Sequence, residues 1–183
     1  MIRIVLWILG AALLGGIVHL TTVLALPKAA TQDAYARLAP LVPVNKMTPL
    51  TAPNAESAIM PFMDPAFAVA VCRYDISSGP LKLNAPVSQA YTSVTFYTRQ
   101  SVAYYAINDR AAGRRAIELD LMTPEQHAQM PEEEDVTAAD RLIIDSPTRT
   151  GLIVLRALAP EPGLMAMARR ALAHAQCRIE PAQ

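Results

Sequence analysis

The sequence predicts a mainly β domain with a few helices. It reads as a small antiparallel sheet or sandwich closed by a C-terminal helix and preceded by one N-terminal transmembrane helix. Three observations carry that reading. Residues 4–26 (IVLWILGAALLGGIVHLTTVLAL) hold no formally charged side chain. Between residues 81 and 157, short runs rich in Val, Ile, Thr, Tyr and Leu follow one another across turn residues. Residues 162–176 then place Leu164, Ala168, Leu172 and Ala175 at helical spacing.

The uncharged run comes first. Its 23 residues span about 34 Å as a helix, enough for a hydrocarbon core of about 30 Å. Trp7 sits near one end, and Arg3 and Lys28 bracket the run. A cleaved signal peptide is the competing reading, with Val23 and Ala25 small enough for a cleavage site. The apolar stretch exceeds a typical signal core, which favours a retained anchor over residues 1–26. Within it Ala12, Gly15, Gly16, His19 and Thr22 fall on one side at helical spacing. Small residues let a second helix approach, and an imidazole or hydroxyl can bond across the contact. The alternative is that neutral His19 bonds a nearby carbonyl or water.

Residues 27–64 read as a Pro/Ala-rich stalk, or a strap over the domain surface. Seven prolines between positions 27 and 65 leave no room for a long helix or a central strand. Residues 31–39 allow two helical turns before Pro40. Asp64-Pro65 then resembles an N-cap followed by proline, which predicts a short helix over AFAVAVC, ending near Cys72.

The soluble domain proper, residues 65–183, holds the strands. Residues 91–98 and 102–107 share a Tyr/Thr/Val/Ile chemistry across Arg99-Gln100-Ser101, which predicts a hairpin. Residues 116–121 alternate most cleanly: Ile117, Leu119 and Leu121 point one way, Glu118 and Asp120 the other. Residues 81–84, 141–145 and 152–157 supply further strands. Thr123-Pro124-Glu125-Gln126 is a capping box with proline at N1, so a short helix is expected over 124–130.

Composition narrows the chemistry. Sixteen basic residues balance sixteen acidic ones, which gives no electrostatic reason for a nucleic-acid partner. Three of the seven glycines lie in the first sixteen residues, so no glycine-rich phosphate loop is available. Histidines at 19, 127 and 174 lack ligand spacing, and neither metal nor cofactor is expected. No catalytic residue is assigned. Ser93, His127 and Asp109 could be assembled into a triad only by coincidence of folding, since nothing in their spacing recommends it.

Cys72 and Cys177 are the only cysteines. An even pair in a domain beyond an anchor predicts a disulfide, and two buried thiols are the alternative. Residues 108–115 form the most suggestive polar cluster. Tyr104 and Tyr105 precede Asp109 and Arg110, and Arg114 and Arg115 follow Gly113, a set able to hold a carboxylate or phosphate. A solvated turn is the plainer reading. Glu132-Glu133-Glu134-Asp135 likewise reads as a solvated acidic turn, since calcium loops need alternating ligands and a glycine.

The strings DISSGPLKLNAP, AYTSVTFYT, AYYAINDRAAGR and IIDSPTRTGLIVLRALAPEP together resemble the bacterial domain-of-unknown-function 1254 family, in a short membrane-anchored branch. The resemblance covers roughly residues 60–177. It implies a β-rich exported domain and supplies no agreed activity and no active site. Longer relatives continue into a second domain of the 1214 type, and this chain stops before one could begin. A separate chain bearing such a domain is therefore the expected partner, beside the membrane contacted through residues 4–26.

Orientation draws on both lines. Lys28, Arg37 and Lys46 after the segment lean toward a cytoplasmic domain by the positive-inside count. The cysteine pair and the resemblance favour a periplasmic domain on the bacterial inner membrane. The functional expectation is an envelope protein with a non-catalytic interaction or assembly domain. The alternative is a small-ligand-binding or hydrolytic domain with a pocket lined by Tyr104, Tyr105, Asp109 and Arg110.

Overall fold

A computed structural model of the 183-residue chain describes residues 1–29, 33–54, 59–60, 63–112, 116–130 and 142–180. The chain divides into two units, Met1–Asp33 and Ala34–Gln183. The first is one helix, α1 (Ile2–Ala29), of which Ile2–Leu26 is long and apolar enough to cross a membrane. It runs three residues past the uncharged segment. The Thr21 hydroxyl donates to the carbonyls of Ile17 and Val18, and the Thr22 hydroxyl donates to Val18 O at 2.8 Å. Both hydroxyls are thus satisfied within the helix, as an apolar medium demands.

The second unit is mainly β. Its elements are α2 (Ala34–Leu38), β1 (Met47–Pro49), β2 (Phe67–Asp75), β3 (Leu81–Pro86), β4 (Thr92–Thr98), β5 (Ala103–Asn108), α3 (Asp109–Ala112), β6 (Ala116–Met122), α4 (Pro124–His127), β7 (Leu142–Asp145), β8 (Thr150–Leu158), a 3-10 turn (Pro162–Leu164), α5 (Met165–Ala173) and β9 (Gln176–Ile179). They form two sheets in the orders β1-β2-β8-β4-β5 and β7-β6-β3-β9. All pairings are antiparallel except β6 with β7. That parallel pair needs a crossover, which the nineteen residues between Met122 and Leu142 provide.

The sheets face each other across one core. Ala70, Cys72, Tyr74, Phe96, Ile153 and Leu155 from the five-stranded sheet meet Leu81, Leu83, Ile117, Leu119 and Leu121 from the other. α5 packs against the same core through Ala168 and Leu172. The expected stripe of Leu164, Ala168, Leu172 and Ala175 does pack there, but the helix is shorter than 162–176. It opens with a 3-10 turn and stops at Ala173, because Gln176 begins β9 along the free edge of β3. That edge offers unpaired backbone groups, and alternation at Gln176–Ile179 buries Cys177 while exposing Gln176 and Arg178.

One expectation is overturned outright. The segment AFAVAVC is not a helix; it is most of β2. Ala68, Ala70 and Cys72 face the inter-sheet core. Val69 and Val71 face a second cluster on the opposite side, formed by Leu38, Val42, Leu152 and Val154. A strand buried on both faces has no polar alternation, so its apolar run cannot be told from a helix by pattern. The Asp64-Pro65 signal marks a real turn. Asp64 Oδ1 accepts from the backbone of Ala66 at 2.9 Å, and the chain then extends instead of coiling.

Residues 34–42 cover the outer face of the five-stranded sheet, and the chain then joins the edge of that sheet as β1. Asn45, at φ 56°, accepts from the Asp75 amide at 2.8 Å and donates to the Asp75 carbonyl at 3.0 Å, so its side chain mimics a strand partner. Arg73 donates to the carbonyls of Ala39 and Val42 at 3.2 and 3.1 Å. The guanidinium groups of Arg73 and Arg99 both lie over the Tyr35 ring, 4.4 and 4.3 Å from its centroid. These contacts hold α2 on the sheet through cation–π and hydrogen-bond terms together.

Candidate functional site

Four polar side chains proposed from the sequence lie on or just beyond β5, and the strand separates them. Tyr104 and Tyr105 are consecutive, so a regular strand would send them to opposite faces. The β4–β5 register shifts, however: Phe96 pairs with Tyr105, Tyr97 pairs with Ala103, and Tyr104 is the extra residue. This bulge turns both tyrosines toward the core, with ring centroids 6.2 and 6.0 Å from that of Phe96. Asp109 and Arg110 begin α3 at the far end of the strand, about 17 Å from Tyr104 at the usual strand rise. Asp109 accepts from the Thr92 amide at 3.4 Å, and Arg110 is exposed. The structure therefore brings the two tyrosines together and leaves the acid and the base elsewhere. Gly113, Arg114 and Arg115, and the acidic run at 132–135, lie outside the described residues.

What Tyr104 does join is a buried polar network that the sequence did not single out. Its hydroxyl donates to Ser146 Oγ at 3.2 Å and lies 3.2 Å from the Tyr74 hydroxyl. Tyr74 is fully buried and donates to Tyr97 O at 3.3 Å, with Ser146 Oγ 3.0 Å away. Ser146 Oγ donates to Thr148 O at 2.7 Å. Burial pushes the Tyr104 phenol far above its ordinary value, and the neighbouring Tyr74 adds to this. The network thus holds neutral hydroxyls, as buried polar groups require. Gly151 makes room for it: a Cβ there would collide with the Tyr97 carbonyl and the Tyr74 ring. A turn glycine before an apolar strand is its only trace in the sequence.

This arrangement lacks the parts of a nucleophilic site. Ser146 is 1% exposed and its hydroxyl partners are Tyr74, Tyr104 and the Thr148 backbone, with no imidazole or carboxylate. His127 instead pairs with Asp145 at 2.9 Å on the surface, so Asp109 is not its carboxylate. Ser93 lies in β4 opposite Asn108 and Arg156. Among the described residues, no three His, Cys, Asp or Glu side chains gather as a metal site.

Two further features stand out. Cys72 on β2 and Cys177 on β9 stand at disulfide distance across the two sheets, with Cα atoms 6.4 Å apart and a sequence separation of 105. A cavity of about 450 Å³ opens on the outer face of the five-stranded sheet. Its floor is aliphatic, from Val69, Val71, Leu152 and Val154, and Arg156 lies at the next pair of the same register, opposite Val69. The helical stripe Ala12, Gly15, Gly16, His19 and Thr22 lies along α1, and nothing stands within 4 Å of where a Cβ would project from Gly15 or Gly16.

The fold has solved relatives. It resembles the VPA0106 protein from Vibrio parahaemolyticus (TM-score 0.58, 12% identity), covering 82% of this chain and 37% of that one. It also resembles an uncharacterised protein from Burkholderia cenocepacia (TM-score 0.53, 14% identity), covering 80% of this chain and 37% of that one. The chain thus spans little more than a third of the length of either structure. No curated protein matches it in sequence. The sequence profile of a family described as a protein of unknown function, DUF1254, matches residues 44–181, from just before β1 to just beyond β9. On that match, which takes in both sheets and the helix that closes them, the chain belongs to the DUF1254 family.

Proposed function

We propose that this protein is a membrane-anchored envelope protein whose soluble unit is a non-catalytic interaction or assembly domain, facing the periplasm and working with a separate chain that bears a 1214-type domain. The observation that carries the reading is the share of the structural neighbours involved. In both, the matching fold is 37% of a longer chain, so it works beside further sequence. A contact between separate chains would be favoured by α1, which is long and apolar enough to hold this chain in the same bilayer as its partner and so raise their effective concentration. Gly15 and Gly16 leave an open stripe on α1 for a second helix. The cysteine pair at disulfide distance supports an oxidising compartment.

Crosslinking in intact cells tests this, comparing wild type with Gly16→Leu. A crosslinked band containing a 1214-type chain, reduced several-fold by the substitution, is the expected result. Recovery of self-contacts alone, or a partner band indifferent to Gly16→Leu, overturns it.

A further inference from the structure

We propose that the cavity on the outer face of the five-stranded sheet binds a single long-chain carboxylate, a free fatty acid, with its hydrocarbon over the aliphatic floor and its head on Arg156. The cavity volume, about 450 Å³, falls within the roughly 300–1,000 Å³ of small-ligand sites. It is too small for both chains of a diacyl lipid. Val71 pairs with Val154 across β2 and β8, and Leu152 lies one pair further along, so the floor is a continuous apolar strip. Met60 and Met63 form part of the wall, and thioether side chains adapt to a flexible chain.

The head-group assignment rests on Arg156. It is the one Lys or Arg lining this cavity, it is exposed, and it makes no hydrogen bond or ion pair among the described residues. The other charged lining residue, Asp64, is engaged by the Ala66 amide. A guanidinium with open donors at the end of an apolar strip matches a carboxylate at the end of an acyl chain, and binds it bidentately. Neither end of this arrangement contributes to the inter-sheet core. The source of the ligand is also at hand: α1 is long and apolar enough to cross a membrane, where fatty acids partition. None of this depends on the partner reading above.

The test uses the full chain in phosphatidylcholine nanodiscs with a diazirine-bearing palmitic acid. Photoadducts should map to peptides containing Val71 and Val154. Unlabelled palmitic acid should compete about tenfold better than palmityl alcohol, the scale of one charge-assisted bond. Arg156→Gln should bring the two competitors level without shifting thermal unfolding, and Val154→Phe should lower capture several-fold. Adducts confined to α1 would show only bulk lipid contact and overturn the site. Equal competition by acid and alcohol in wild type would overturn the head-group assignment. Equal labelling of the same peptides by a diazirine phosphatidylcholine would overturn the single-chain occupant. Partner crosslinking in cells is a separate readout, so either proposal can fail alone.

Discussion

The two faces of the five-stranded sheet are covered by different kinds of structure. Its inner face meets a second sheet, with Leu155, Ile153 and Phe96 fully buried against Leu81, Leu83 and Leu119. Its outer face meets a short segment of chain, residues 34–42, held by Arg73 and Tyr35 around a small cluster that leaves a cavity beside it. The same two strands, β2 and β8, supply alternate residues to both sides. The inner face holds the fold, while the outer face is closed just well enough to leave space. Stability and ligand access are thereby assigned to opposite sides of one sheet.

The largest effect should come from the inter-sheet cysteines. Closing a loop of 105 residues contributes about 4–5 kcal/mol on the chain-entropy model. Replacing Cys72 and Cys177 together by alanine should lower the urea midpoint accordingly and steepen the slope, because the unbridged unfolded chain exposes more surface. A loss below about 1 kcal/mol would mean that sheet-on-sheet packing alone joins the two layers. The comparison would then lose its covalent element.

A matched pair on β8 sharpens it next. Leu155→Ala empties an inner site and should cost about 2–5 kcal/mol. Its neighbour Val154 points outward beside an existing cavity, and Val154→Ala should cost about 1–2 kcal/mol, near the transfer value for the removed groups. Equal losses in urea denaturation would show that the outer face is packed as tightly as the inner.

The smallest effect is an acid-side one, where the covering segment joins β2. Hydrogen bonds from the Ser77 hydroxyl and amide hold the Asp75 carboxyl below its ordinary value near 3.8. A depressed folded value contributes stability above the unfolded value, and that contribution fades as pH falls through the folded one. Ser77→Ala should therefore lower stability slightly at pH 7, with the gap to wild type closing as pH falls below about 4, so that the acid-side loss of stability is flatter in the variant. The change should be modest, since Ser77 is exposed and its amide bond to Asp75 is kept; a loss of the same size below about pH 3 would point to a packing role for Ser77 instead.

Much of the inner layer was legible in the sequence. Ile117, Leu119 and Leu121 alternate with Glu118 and Asp120, and β6 spans Ala116–Met122, although Asp120, expected on the wet face with Glu118, is buried. The capping box at Thr123 is present, with Gln126 reaching back to the Thr123 amide at 2.9 Å. β2 was not legible, because Val69 and Val71 look apolar for a reason that lies 30 residues upstream, in Leu38 and Val42. The candidate site fared worse. Pairing Tyr104 and Tyr105 on one side depends on a bulge opposite Phe96, and Tyr74 meets Ser146 across a sequence separation of 72.

Local sequence is enough for the uncharged span of α1, the alternation of Ile117, Leu119 and Leu121, the caps and turns, and the candidate pair of Cys72 with Cys177. Each of these rests on neighbours a few residues apart, or on there being no other partner to choose. Long-range contacts lay residues 34–42 over a sheet, give the space at Gly151 to Tyr74, and end an aliphatic strip on Arg156, which makes no ion pair among the described residues. Those outcomes depend on which surfaces meet across long separations, and local periodicity carries no record of what lies on the far side of a strand.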